Sequence, residues 1–478
     1  MKTKLLLIHL LPCLLPVMAS GASEAEAYAI KPLVVHEWGT FTVLQDESGT
    51  PIPGVNINEE SLPEFVFELS PGLAPDSHPL GPFFNPRLYQ GHPLRAKGIL
   101  RFDPAVTMRM ETPIIYFHLP EGGEASRKVD VEVAFRHGWI SEWYPNAEVV
   151  APGFLPFKLQ EPITSATTGR IVWKGLAVGG DATGLPATQE PVWLAPRRVD
   201  ADPVRTQKGM REQYLFYRGV ANLEALLRVT RSDDQSTLHI TPNPSRQMAP
   251  APMSFPHLWL ADIRTDGTVA FRVLDGIVED GAEAVRERST PGQFARRDYS
   301  RDNLAALRAS MRTALVADGL FVDEAEALLH TWEVSYFQSA GMRLFFLVPQ
   351  AWTDAVLPMT LSEKARVERV MVGRIELVTP EQRERLTRMG SEESHSQQWF
   401  HQRFDAMTTA EQAQVRDDLL MGRRTLEDCG FDVPESYSDF LELGRFRDAL
   451  VVNELRRTGR PGLQAFAKVY GLTYFHSW

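Results

Sequence analysis

The sequence predicts an α+β protein, with an antiparallel, β-sandwich-like portion over residues 28–290 followed by a mixed, helix-rich portion over 300–478. Three observations carry this. Residues 129–136 alternate apolar Val131, Val133 and Phe135 with polar Asp130, Glu132 and Arg136, the period of a half-buried strand. Asp266-Gly267 separates two alternating runs, 258–264 and 269–274, as a tight hairpin requires. From Asp302 the apolar spacing becomes helical, and after a small β block at 343–378 it is mostly helical again to about Tyr470.

The chain has 478 residues, of which 44% are hydrophobic and 23% charged, so a large core is available without disulfide staples. Residues 1–22 read as a signal peptide: Lys2 and Lys4, an apolar run from Leu5 to Met18, then Ala19-Ser20-Gly21-Ala22. The mature protein is therefore expected to be exported, periplasmic or secreted, with no transmembrane segment. Cleavage removes two lysines and no acid, taking the formal charge from -11 to -13. Such a balance disfavours nucleic acid as a partner. Of the 2 cysteines only Cys429 lies beyond the signal, which excludes an intrachain disulfide.

In order, the strands expected are 34–44, 107–119, 129–136, 170–173, 213–218, 226–230, 237–241, 258–264 and 269–274, then 343–348, 355–361 and 366–378. Residues 62–69 fit either a strand or a short helix. Ser70 to Pro93, dense in Pro, Gly and His, reads as a long ordered loop, and Thr241 to Pro256 as a linker. Thr379-Pro380-Glu381-Gln382 carries the signature of a capped helix start.

The chemistry-bearing residues gather in few places. In Val34–Leu44, strand geometry sends Val35, Glu37, Gly39, Phe41 and Val43 to one side and His36, Trp38, Thr40 and Thr42 to the other. Glu37 thus sits in an apolar row, where an ionised carboxylate needs a partner: a functional acid, or a buried ion pair with an arginine. His36-Glu37-Trp38-Gly39-Thr40 lacks the second histidine of the helical zinc motif His-Glu-x-x-His. In 108–118, simple alternation places Arg109 and Glu111 with Pro113, Ile115 and Phe117, and His118 on the other side with Met110 and Tyr116. Pro113 marks an edge strand or a bulge.

His137-Gly138-Trp139-Ile140-Ser141-Glu142-Trp143-Tyr144 collects rings beside an acid, which suits a glycan or peptide groove or, equally, a core plug. Glu326, His330 and Glu333 form one helical stripe that fits a solvated, salt-bridged face. There is no Gly-x-Ser-x-Gly elbow, Walker A loop or Cys-x-x-Cys.

His-Glu-Trp-Gly-Thr-Phe at 36–41, Met-Glu-Thr-Pro at 110–113, Gly-Leu-Phe-Val-Asp-Glu-Ala-Glu at 319–326 and Val-Gly-Arg-Ile-Glu at 372–376 resemble a family of exported bacterial proteins of uncharacterised activity. The resemblance implies export and a common fold. It implies no activity, cofactor or catalytic residue.

Two functions follow as expectations. One is a cell-envelope binding module for a glycan, peptide or protein partner, using Trp139, Trp143, Tyr144, Arg109 and His36. The other is a hydrolase using acid carboxylates among Glu37, Glu111 and Glu142, or a metal site for which His118 and His137 are the weak candidates; the sequence names no cofactor. The site is expected where Glu37 and Glu111 face one side, with Arg109 in ion-pair reach and residues 139–144 along the rim.

Overall fold

The computed structural model describes residues 32–56, 62–69, 95–96, 99–100, 103–123, 125–154, 161–248, 252–281, 284–420 and 423–472. The expected signal peptide at 1–22 and the expected loop at 70–93 lie outside them.

A large mixed sheet organises the fold. Its main strands are β1 (Leu33–Gln45), β2 (Met108–His118), β3 (Ser126–Arg136), β4 (Gly138–Tyr144), β5 (Thr168–Gly179), β6 (Leu215–Ala221), β7 (Leu258–Ile263), β8 (Val269–Leu274), β9 (Gly341–Val348) and β10 (Ala365–Leu377). They lie side by side in the order β5-β4-β6-β2-β1-β10-β9-β7-β8, while β3 pairs with β5. The α+β class stands, with a sheet-rich first part and a helix-rich last part. β1 and β10 run parallel, so the block at 343–378 supplies the strand beside β1. Almost every position of β1 is buried, as expected of a strand covered on both faces.

Local signals act as their chemistry dictates. β7 and β8 pair as a hairpin, with Gly267 at φ +78° in the turn. Thr379 accepts from the Gln382 amide and Gln382 returns the bond, capping the helix Pro380–Met389. Residues 350–356 are helical where a strand from 355 was expected; only Met359–Leu361 pairs, against β3. Residues 67–68 pair with β4.

The first face of the sheet carries Val35, Phe41, Val43, Met110, Ile115 and Phe117 into one apolar core. The second face has two cores. One lies under α1 (Asp302–Ala317), α2 (Val322–Thr331) and the π-helical turn Glu333–Gln338, and holds Trp38, Ile114, Tyr116, Leu328 and Tyr336. The other holds Leu44, Trp139 and Val220 against the C-terminal helices through Leu386, Phe400, Phe440 and Phe466.

A bulge in β2 decides what reaches the second face. Trp38 pairs with Ile114 but Thr40 pairs with Glu111, so Thr112-Pro113 opposes the single residue Gly39. β2 is central rather than an edge, and the proline is absorbed by the bulge. Past it the alternation reverses, so that Arg109, Glu111, Ile114, Tyr116 and His118 all point to the second face.

Candidate metal centre

His36 of β1 and His118 of β2 lie on this second face, diagonal to one another across the pair in which Val34 faces His118 and His36 faces Tyr116. Glu324, in the first turn of α2, completes the group. His36 Nδ1 is 2.7 Å from Glu324 Oε2, and His118 Nε2 is 3.0 Å from Glu324 Oε1. One ligand atom from each of the three residues lies within 4.8 Å of the others. The amide of Phe321 donates to Glu324 Oε2 at 2.7 Å, which closes the helix cap and holds the carboxylate in place.

His36 and Glu324 are fully buried, and the His118 side chain is 13% exposed. The Phe321 ring packs 4.6 Å from the His36 ring and 4.8 Å from the His118 ring, measured between centroids. Phe321 is itself 42% exposed, so the cluster lies one side chain below the surface. Burial opposes ionisation of Glu324, but the hydrogen bonds from His118 and His36 outweigh it and hold the carboxyl down at about 2. The result is a fixed carboxylate facing two imidazole nitrogens, an N₂O donor set that suits a transition metal ion of the zinc type. His36 Nε2 is buried with no hydrogen-bond partner among the described residues.

The other expected site residues go elsewhere. Glu37 points to the first face, away from Glu111, where Arg369 Nε approaches Oε2 to 2.5 Å and Tyr217 donates to Oε1. It forms a buried structural ion pair; its expected side-sharing with Glu111 fails because the bulge re-aims β2 and leaves β1 in step. Glu111 pairs with Arg109 and Arg445 and accepts from Thr42 at 2.8 Å. Glu142 stands opposite Arg218 and accepts from Ser141. His118, which simple alternation placed opposite Arg109 and Glu111, shares their face for the same reason that it meets His36.

The aromatic segment is strand β4 itself. Trp139 and Tyr144 are buried in separate apolar cores and Trp143 is half-buried, so these rings act as core packing. His137, at φ +61° between β3 and β4, stays outside the histidine cluster. Glu326, His330 and Glu333 form the expected charged surface with Arg312 and Arg308.

Sequence reasoning missed Glu324. Its signal was an acid at a position of α2 that falls on the buried stripe with Leu328 and Thr331, beside the solvated stripe of Glu326 and His330. The segments 36–41, 110–113, 319–326 and 372–376 all reach the second face, supplying His36, Glu111, Phe321 with Glu324, and Arg374 with Glu376.

No family model and no curated protein matches the chain. Among solved structures, the Fcho1 Mu homology domain of Danio rerio, with a bound Eps15 peptide, is similar over 73% of this chain and 95% of its own, at 8% identity and a TM-score of 0.25. A likeness that low carries no argument about fold or function. No helix among the described residues is long and apolar enough to cross a membrane.

Proposed function

We propose that this chain is an exported metalloprotein that binds one zinc-type divalent ion through His36, His118 and Glu324, and that the ion serves a hydrolytic reaction. The observation that supports this is the convergence of two imidazoles and one ionised carboxylate, from two strands and a helix, within 4.8 Å. A bound ion would replace the protons that the imidazoles now share with Glu324, so the buried charge would be met by a formal dication. His36, His118 and Glu324 would hold such an ion, and its chemistry when bound would be to activate a water for hydrolysis. The shallow cover of Phe321 is the route by which a substrate would approach.

The binding-module reading has less support, because Trp139 and Tyr144 offer no open aromatic face. A glycan, peptide or envelope protein therefore enters this reading as the substrate of the metal site rather than as the ligand of an aromatic groove.

Elemental analysis of the protein purified from the periplasm tests the proposal. One equivalent of zinc is expected in the wild type and far less in His36→Ala, His118→Ala and Glu324→Gln. Cobalt substitution should give the visible absorption of a low-coordinate N/O site, and a hydrolase panel should show turnover that a chelator abolishes. Sub-stoichiometric metal, unchanged by all three variants, would show a purely hydrogen-bonded cluster. Stoichiometric metal without turnover would leave the ion a structural clamp between α2 and the sheet.

A further inference from the structure

β5 is paired along one edge and interrupted along the other. β3 covers the first edge, from Ser126 opposite Gly179 to Arg136 opposite Thr168. On the second edge, the short strand Glu148–Val150 pairs with residues 170–172, and Val204–Arg205 pairs with residues 177–178. Between these two partners, Trp173, Lys174, Gly175 and Leu176 have no strand beside them among the described residues. A strand edge left open in this way presents main-chain donors and acceptors to an extended chain that fits. The opening is four residues long, roughly 13 Å at strand rise.

A cleft of about 330 Å³, the size of a small-ligand site, lies in this opening. Its walls are held from both ends. Trp173, buried beneath it, donates from Nε1 to the Pro145 carbonyl at 2.9 Å, which fixes the approach to Asn146 and Glu148. On the far side, Thr206 closes the hairpin turn that follows Arg205. Its amide donates to the Met210 carbonyl at 2.9 Å, and its hydroxyl accepts from the Met210 amide at 3.1 Å. The Gln207 amide lies directly over Gly175, at φ +60°, where a Cβ would collide with it. Lys174 is tied to Glu148 at 3.0 Å. Asn146, Gln207 and Lys208 line the cleft with no side-chain hydrogen bond or ion pair among the described residues.

We propose that this opening binds a short peptide with a free C-terminal carboxylate. The peptide main chain runs along residues 173–176 of β5 as an added strand, and the Lys208 ammonium holds the carboxylate. Asn146 and Gln207 meet the amide groups that β5 does not. The two flanking strands limit the ligand to about three residues at strand rise. A sugar fits less well, because Trp173 is only 1% exposed and offers no open aromatic face. The site lies four strands from β1 in the sheet, and it stands whether or not the histidine cluster holds a metal.

The test is isothermal titration of the whole protein with trialanine, its C-terminal amide, and trialanine N-methylated at the central residue. Saturable binding of trialanine is expected. The amide should bind roughly tenfold more weakly, as loss of a charge-assisted hydrogen bond implies, and the N-methyl peptide should also lose affinity. Lys208→Gln, a change at an exposed turn position, should weaken trialanine to the same extent and leave binding of the amide unchanged. Protein stripped by a chelator should bind trialanine as the untreated protein does. Binding lost on stripping would place the peptide at the histidine cluster and overturn the proposal. So would no saturable binding of trialanine, equal binding of all three ligands, or a Lys208→Gln protein indistinguishable from the wild type. A dimer lost in Lys208→Gln and untouched by trialanine would instead give the open edge to a second copy of the chain.

Discussion

Arg369 Nε lies 2.5 Å from Glu37 Oε2, between residues that are direct register partners across the parallel β1–β10 pair. Both side chains are buried, and Arg369 also donates to Asp354 at 3.0 Å and to the Leu357 carbonyl at 2.6 Å. The neighbouring carboxylate of Glu37, with Tyr217, outweighs burial and raises the Arg369 pKa further, which fixes the pair as an ionic one.

Removing one partner of this pair should unfold the sheet more easily without touching the histidine cluster. Glu37→Ala is expected to cost about 3–5 kcal/mol, since Arg369 is left charged and buried. Paired replacement, Glu37→Leu with Arg369→Met, should recover most of that loss. Urea denaturation midpoints check both, and metal content should stay at the wild-type level.

Phe321→Ala tests the shallow cover of the histidine cluster. The ring contacts both imidazoles but offers no ligand atom. The variant is therefore expected to keep one equivalent of metal and to lose it to a chelator several-fold faster, read by a chromogenic metal indicator. Unchanged release would mean that the ion exchanges by another route.

The arginines around Glu111 should make the protein acid-sensitive. Burial raises the Glu111 pKa, but Arg109, Arg374, Thr42 and Arg218 outweigh it and leave the folded value below the usual carboxylate range. Its stabilising contribution is then complete above the unfolded value of about 4.3 and is lost as pH falls through the lowered folded value. Glu47, which Arg383 likewise holds down against the effect of burial, behaves the same way. Glu111→Gln should be less stable than the wild type at pH 7, and the gap should narrow below about pH 4. A constant gap from pH 7 to 3 would contradict the assignment.

Gly219, beside Arg218 at a register shift in β6, leaves no space for a side chain. A Cβ there would lie 2.5 Å from the Trp139 carbonyl oxygen and 2.7 Å from the Phe135 ring. Gly219→Ala should cost about 1–3 kcal/mol through strain, because the obstructing atom belongs to the backbone of the adjacent strand. A Tm equal to the wild type would show that β4 can shift.

Much of the fold was legible because its causes are local. Alternation at Val129–Arg136, the Asp266-Gly267 turn and the Thr379 cap each depend on a few consecutive residues, and each appears in the structure. The sequence also marked Glu37 as a group that a core must satisfy, with an arginine ion pair as one reading, and singled out His36, His118 and Glu111 as candidate site residues. It could not say which of them meet. Strand partners are chosen over distances such as the 332 residues between Glu37 and Arg369, and nothing in the alternation of either strand names the other. Nor does counting by twos survive a bulge: the extra residue at Thr112-Pro113 turns the rest of β2 over, brings His118 to His36 and parts Glu111 from Glu37. Glu324 joined the cluster only because α2 packs its buried stripe on that face. The sequence by itself determined that Glu37, in an apolar row, needed a partner; the register, the bulge and the docking of one helix decided which groups meet, Glu324 included, because those are set by packing between segments far apart in the chain.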